Sequence, residues 1–295
     1  RSHETLGYHE FVEKLSYEIN DEDIVGLGLN DMAFYKQSVQ MLKERKEKEN
    51  KPIMATLISL SNHYPFDELD VYGEFDTGHL EGTEIANYLK SMNYADQALE
   101  LFFAEMEKEG LLDNAAVVIY GDHHAKISQE DYELVFNYDP ETESYLDKDD
   151  ENYTAIKYAN LRKVRRTPLI IWTKEGGLQE TISRPMGMID VFPTLANMLN
   201  IENPYQLGKD IFGVADNMVI LPNGSFITSD YFYNSSNLKV YDIHNNELLM
   251  KKDEFPEELI ALIEKVEEEL EFSSKIIESN LIKYNQAASE NQASE

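Results

Sequence analysis

Nearly unbroken apolar runs of strand length recur along the chain, and each one empties into polar residues. Pro52-Ile53-Met54-Ala55-Thr56-Leu57-Ile58-Ser59-Leu60 runs into Ser61-Asn62-His63, and Ala115-Ala116-Val117-Val118-Ile119-Tyr120 runs into Gly121-Asp122-His123-His124. Pro168-Leu169-Ile170-Ile171-Trp172 is a third. A run that does not alternate apolar with polar predicts a strand buried on both faces. Between the first two, Ile85, Leu89, Met92, Ala95, Leu99, Phe102, Phe103 and Met106 recur at helical spacing until Gly110 supplies a stop. Strand, helix and strand predict a βαβ unit, hence an α/β fold with a largely parallel central sheet flanked by helices. Ligands of such sheets bind outside the carboxyl ends of the strands, so His63, Asp122 and His123 are expected on one rim.

The remaining chain divides by composition. A helix is expected from Asn30 to Glu49, ending in the sign-alternating Lys43-Glu44-Arg45-Lys46-Glu47-Lys48-Glu49 of a solvated face. Residues 137–152 are acidic and poor in apolar side chains, the pattern of a mobile surface loop. Met186 to Leu199 reads as a turn and a helix with Pro193 in its first turn. From Met218 to Ile243, Asn223-Gly224 and Asn245-Asn246 punctuate β-rich runs, predicting an antiparallel appendage. Pro256 opens an amphipathic helix to about Tyr284. The expected division is an incomplete α/β domain over 1–215, the β appendage over 216–250, the C-terminal helix over 251–285 and a flexible tail over 286–295.

Charge and cysteine content exclude several functions. With 56 Asp+Glu against 26 Lys+Arg, the formal charge is −30, which repels phosphate backbones and argues against nucleic acid as a partner. Zero cysteines remove disulfides, thiolate metal sites and cysteine nucleophiles. No apolar run approaches the roughly 18 residues that span a bilayer, so the chain as given reads as soluble.

Chemistry concentrates at the strand exits. Asp122 and His123 offer a carboxylate and an imidazole side by side after a glycine turn, a pair suited to Mn²⁺, Mg²⁺ or Zn²⁺; the bland alternative is a turn-capping aspartate with a packed histidine. His63 reads either as a hydrogen-bonded loop residue or as a phosphate, hydroxyl or proton contact. Arg162, Arg165 and Arg166 either clamp a phosphate or offset the acidic loop before them. Asp190 is a helix cap or a ligand. Thr56, Ser59 and Ser61 lack any activating motif.

Taken in order, these segments resemble the lipoteichoic acid synthase family of phosphoglycerol transferases, within the alkaline phosphatase and sulfatase superfamily. The matching stretches are Leu27-Gly28-Leu29-Asn30-Asp31 with Phe34, Ser61 to Phe66, Tyr120-Gly121-Asp122-His123 with Ile127-Ser128, Arg166 to Ile171, Ile189 to Leu195, and Asn223 to Ile227, over roughly residues 5 to 245. The resemblance implies that Asp122 and His123 are two metal ligands, with Mn²⁺ the expected ion and Mg²⁺ or Zn²⁺ the alternatives. It implies that His63 contacts the phosphoglycerol headgroup; on the residues' own chemistry, Arg162, Arg165 and Arg166 are expected to bind the substrate phosphate. Family members are anchored in the bacterial membrane with an extracellular catalytic domain. Their threonine attacks phosphatidylglycerol, and the glycerophospho-threonine is passed to a growing polyglycerolphosphate chain. That threonine and a glutamate ligand lie upstream of the stretch matched here, because Leu6-Gly7-Tyr8 to Phe11 resembles a segment well past the nucleophile. The chain is therefore expected to be the C-terminal part of such a domain, inactive alone, whose parent is membrane-anchored. A sulfatase or other phosphodiesterase of the same superfamily, and a noncatalytic module for anionic glycopolymer, are the competing readings.

Overall fold

The computed structural model describes residues 8–26, 28–49, 51–177 and 179–283. The expected tail, 286–295, and the Leu6-Gly7 part of the N-terminal motif lie outside the described residues. Contacts group the chain into two compact units, Arg1–Ala155 with Thr167–Gln179, and Ile156–Arg166 with Glu180–Glu295.

The first unit is built on two helices. After the short antiparallel pair β1 (Ile24–Val25) and β2 (Gly28–Leu29), α1 spans Asp31–Glu49, with Asn30 Oδ1 accepting from Ala33 N at 2.9 Å. A single turn, α2 (Leu69–Tyr72), precedes α3 (Glu84–Lys108), which Thr83 caps by accepting from Ala86 N. Helical spacing puts Ala98, Phe102 and Met106 of α3 against Tyr35 and Val39 of α1, with Leu57, Val117 and Trp172 packed around them. Each fully buried side chain of this size stabilises the fold by roughly 1.5–3 kcal/mol. Gly110, at φ +65°, ends the helical region as its sequence position predicts.

Two of the three predicted strands form, and their pairing differs from expectation. β3 (Ala116–Tyr120) and β6 (Leu169–Thr173) are antiparallel, with Ala116 opposite Thr173 and Tyr120 opposite Leu169. An apolar run specifies burial and carries no strand direction, so a parallel sheet does not follow from it. Among the described residues every strand pairing is antiparallel, which corrects the largely parallel sheet. Among the described residues, 52–60 take part in no strand pairing, and Met54 and Ile58 are 83% and 72% exposed. Their apolar pattern suits a two-sided strand, yet Leu57, which packs on the α1–α3 core, and Leu60 are no more than half-buried. The predicted mobile loop is also more ordered than its composition suggests. After α4 (Gln129–Phe136), β4 (Tyr138–Asp139) and β5 (Ser144–Tyr145) form a hairpin, which Tyr145 Oη ties down by donating to His79 O at 2.8 Å.

The second unit contains α5 (Tyr158–Val164), α6 (Val191–Met198) and an antiparallel sheet ordered β11-β10-β9-β8-β7. Its strands are β7 (Val219–Ile220), β8 (Phe226–Ile227), β9 (Tyr231–Asn234), β10 (Lys239–Asp242) and β11 (Leu248–Lys251). Alternation divides the sheet's faces: Phe226, Tyr233 and Val240 pack on Leu259 and Val266 of α7 (Glu257–Glu278), while Phe232 and Tyr241 point the other way. The predicted appendage and helix are both present, with Gly224 at φ +80° and Asn246 at φ +64° in the predicted turns.

Candidate metal and phosphate site

Gly121 lets β3 leave the sheet close beside the start of β6. A Cβ there would lie 3.1 Å from Cβ and Cγ2 of Thr167, so a larger residue would press on Thr167. Asp122 and His123 follow, their side chains 81% and 64% exposed. His123 Nδ1 lies 2.8 Å from His124 O. A carbonyl only accepts, so Nδ1 is the donor and Nε2 of the neutral ring keeps its lone pair. That Nε2 is 3.7 Å from Asp122 Oδ1.

Two donors about 2.1 Å from one tetrahedral ion stand about 3.4 Å apart, so a small side-chain adjustment lets both reach the same cation. The carbonyl-bound Nδ1 is also how a metal-binding imidazole is normally oriented. This pair fits a metal as two ligands. Among the described residues no group of three or more His, Asp or Glu is placed to hold one.

His63 stands in a second loop with the same internal geometry, its Nδ1 2.6 Å from Tyr64 O. The two loops touch: Lys126 Nζ, four residues past Asp122, sits 4.3 Å from the centre of the Tyr64 ring. Phe66, fully buried, adopts φ +63°, a region that bulky residues avoid, and its ring is wedged edge-on against Tyr64 and Tyr88. The loop of His63 therefore meets the segment that follows Asp122 and His123, through a lysine that no sequence motif singles out; among the described residues no hydrogen bond or ion pair joins His63 itself to Asp122 or His123.

Other hydroxyls and carboxylates are structural. Ser61 is fully buried and accepts from Asp31 N at 2.8 Å. Asp190 does not cap α6 with its side chain. It is 4% exposed and accepts from Gly187 N, Lys209 N and Asn217 Nδ2, joining three stretches of the second unit. A cavity of about 310 Å³ lined by Phe103, Leu112, Trp172 and Lys174 lies near the Ala116–Thr173 end of the β3–β6 pair, the end away from Asp122.

The arginines belong to the second unit. Arg162 of α5 lays its guanidinium over the Phe232 ring at 5.7 Å; burial, then the neighbouring Arg165, push its pKa down. Arg165 keeps a buried Nε without a partner, and Arg166 Nε donates to Lys163 O at 3.1 Å. Among the described residues no carboxylate forms an ion pair with any of the three.

A profile described as Sulfatase matches residues 2–201. Lipoteichoic acid synthase of Staphylococcus aureus (strain USA300) is 30% identical over 285 residues, which is 95% of this chain and 40% of that protein. The crystal structure of the lipoteichoic acid synthase LtaP from Listeria monocytogenes superposes with a TM-score of 0.74 at 24% identity, covering 94% of this chain and 65% of that one. A protein of the alkaline phosphatase superfamily from Vibrio parahaemolyticus gives 0.64 at 18% identity, covering 93% and 60%. The chain thus spans two fifths of the length of the curated relatives it matches, and its fold is alkaline phosphatase and sulfatase-like. With that profile matching 200 of its 295 residues, the chain belongs to the sulfatase family.

Proposed function

We propose that the protein of which this chain forms at least a part is a metal-dependent phosphoglycerol transferase, taking glycerol phosphate from phosphatidylglycerol to build or modify polyglycerolphosphate at the extracellular face of a bacterial membrane. The observation that supports this reading is the adjacent Asp122 and His123 pair, followed four residues on from Asp122 by Lys126, whose ammonium lies over the Tyr64 ring in the loop of His63. Similarity to lipoteichoic acid synthases over 95% of the chain supports the substrate class.

In this reading Asp122 and His123 Nε2 hold a divalent ion, Mn²⁺ by preference, which when bound lowers the pKa of an attacking hydroxyl and offsets phosphoryl charge. His63 presents Nε2 to the headgroup, and Arg162, Arg165 and Arg166 supply local positive charge in a chain of net charge −30. We also infer that the chain by itself does not turn over, since two donors are fewer than a catalytic metal site uses. The test is to assay the full-length parent on phosphatidylglycerol and on an aryl sulfate, with Mn²⁺ and with chelator. Mn²⁺-dependent release of diacylglycerol supports the reading. Preferential aryl sulfate cleavage supports the sulfatase alternative, and turnover by the purified chain alone refutes the two-donor account.

A further inference from the structure

The loop that carries His63 is held from below by the first turn of α1. Asp31 is 1% exposed, and its Oδ1 accepts from both Leu60 N, at 2.8 Å, and Ser61 N, at 2.9 Å. Asp31 N donates in return to Ser61 Oγ at 2.8 Å. Leu60 is gripped at its other end too, because His63 N donates to Leu60 O at 2.9 Å and closes the turn. Asn62 is pinned from α3, its Oδ1 accepting from Ser91 Oγ at 2.7 Å. A buried carboxylate is expensive to desolvate, and one that accepts two adjacent backbone N–H groups fixes a peptide plane as no apolar residue does.

We propose that Asp31 is a positioning residue for His63: its Oδ1, by accepting from the Leu60 and Ser61 amides, sets the turn that commits His63 Nδ1 to the Tyr64 carbonyl and aims Nε2 outward. This rests on the reading of His63 as a headgroup contact. The acceptor oxygen does the positioning, so the effect follows the hydrogen bonds rather than the charge. Asparagine at position 31 retains such an oxygen and alanine does not.

The experiment uses the whole chain labelled with ¹⁵N-histidine, the His63 signals assigned by their loss in His63→Ala. Two readouts are compared in Asp31→Ala and Asp31→Asn: the ring-nitrogen shifts of His63, and the Kd for sn-glycerol 1-phosphate. Asp31→Ala is expected to move the ring from a single Nδ1–H tautomer toward an averaged one and to weaken binding about tenfold, on the order of one lost directional contact. Asp31→Asn is expected to keep both near wild type. Unchanged ring shifts in folded Asp31→Ala, or equal damage in the two variants, would overturn the proposal. If His63→Ala binds glycerol phosphate as the unaltered chain does, or no binding is measurable, the headgroup reading fails by itself and the ring shifts still decide the positioning role. Should Asp31→Ala not fold, Asp31→Ser, whose shorter side chain cannot accept from both the Leu60 and Ser61 amides, carries the same two readouts: an averaged ring with weakened binding supports the positioning role, and unchanged ring shifts overturn it.

Discussion

The Nε2 atom of His123 stands 3.7 Å from Oδ1 of Asp122 while Nδ1 of the same ring is committed to the His124 carbonyl. The two lone pairs are therefore free to converge on one cation. We expect the chain to bind Mn²⁺ weakly, with His123→Ala or Asp122→Ala each lowering affinity at least tenfold and the double variant little further, because either donor alone is nearly worthless. Titration followed by the electron spin resonance of free Mn²⁺ measures this. Tight, stoichiometric binding by the unaltered chain would mean that further ligands exist.

What was legible in the sequence was local. The start of α1 at Asn30-Asp31, the long α3 with its Gly110 stop, and the turns at Asn223-Gly224 and Asn245-Asn246 all follow from nearest neighbours along the chain. The antiparallel sense of β3 and β6 was not legible, since an apolar run is the same read in either direction. Nor was the exposure of Met54 and Ile58, because a two-sided strand pattern states what burial a segment tolerates and not whether neighbours supply it. At the site, the glycine turn before Asp122 could be read from one pentapeptide. The hold of Asp31 on Leu60 could not, for it joins residues 29 apart, and neither a helix opening nor a matched motif says which amides Asp31 meets.

Gly121 tests how tightly the strand exit is built. Alanine there gains about 0.4–1 kcal/mol by restricting the unfolded chain, but its Cβ would sit 3.1 Å from Thr167 Cβ and Cγ2, and Cβ cannot rotate away. Overpacking of about 1–3 kcal/mol outweighs the gain. Gly121→Ala should therefore destabilise the first unit by about 1 kcal/mol, read from Trp172 fluorescence in urea. Adding Thr167→Ser, which deletes Cγ2, should restore part of it. A stabilised Gly121→Ala would refute the close approach.

Asp190 makes the opposite kind of prediction, a large loss with no effect on metal binding. Alanine would leave the Gly187 and Lys209 amides without their acceptor and the Asn217 side-chain amide with Pro185 O but without its carboxylate partner. Losing these three bonds, one buried and two part-buried, costs about 3 kcal/mol in sum. Hydrogen exchange over residues 187–217 should accelerate by about two orders of magnitude in Asp190→Ala, while Mn²⁺ affinity stays unchanged. A fall in Mn²⁺ affinity without loss of protection would instead make Asp190 a ligand.

Alkaline pH should weaken the first unit specifically. Burial, then the Asp31 carboxylate, push the Tyr35 phenol up from 10.0 to about 12, and burial does the same to Tyr94. Because the folded values are raised, the associated stability is fully present below pH 10 and is lost as pH rises toward 12, when the unfolded chain ionises and the folded one resists. Urea midpoints should fall over that window. Tyr35→Phe, which keeps the ring against Phe102 and removes the phenol, should flatten the fall, and an unchanged pH profile in that variant would count against the assignment.

Arg165 is where binding and stability should pull apart. Its Nε is buried without a partner, and its charge lies close enough to Arg162 to depress that residue's pKa, so in the free chain it stabilises little. Replacing it with methionine removes an orphaned donor and a like charge while keeping an apolar stem, and should stabilise the second unit by about 1 kcal/mol. If the arginines serve an anionic polymer, the same substitution should lower affinity for polyglycerolphosphate severalfold and reduce its salt dependence. Thermal melts and polymer binding at low and moderate salt measure the two effects. A variant that gains stability and keeps full, salt-sensitive binding would remove Arg165 from the substrate surface.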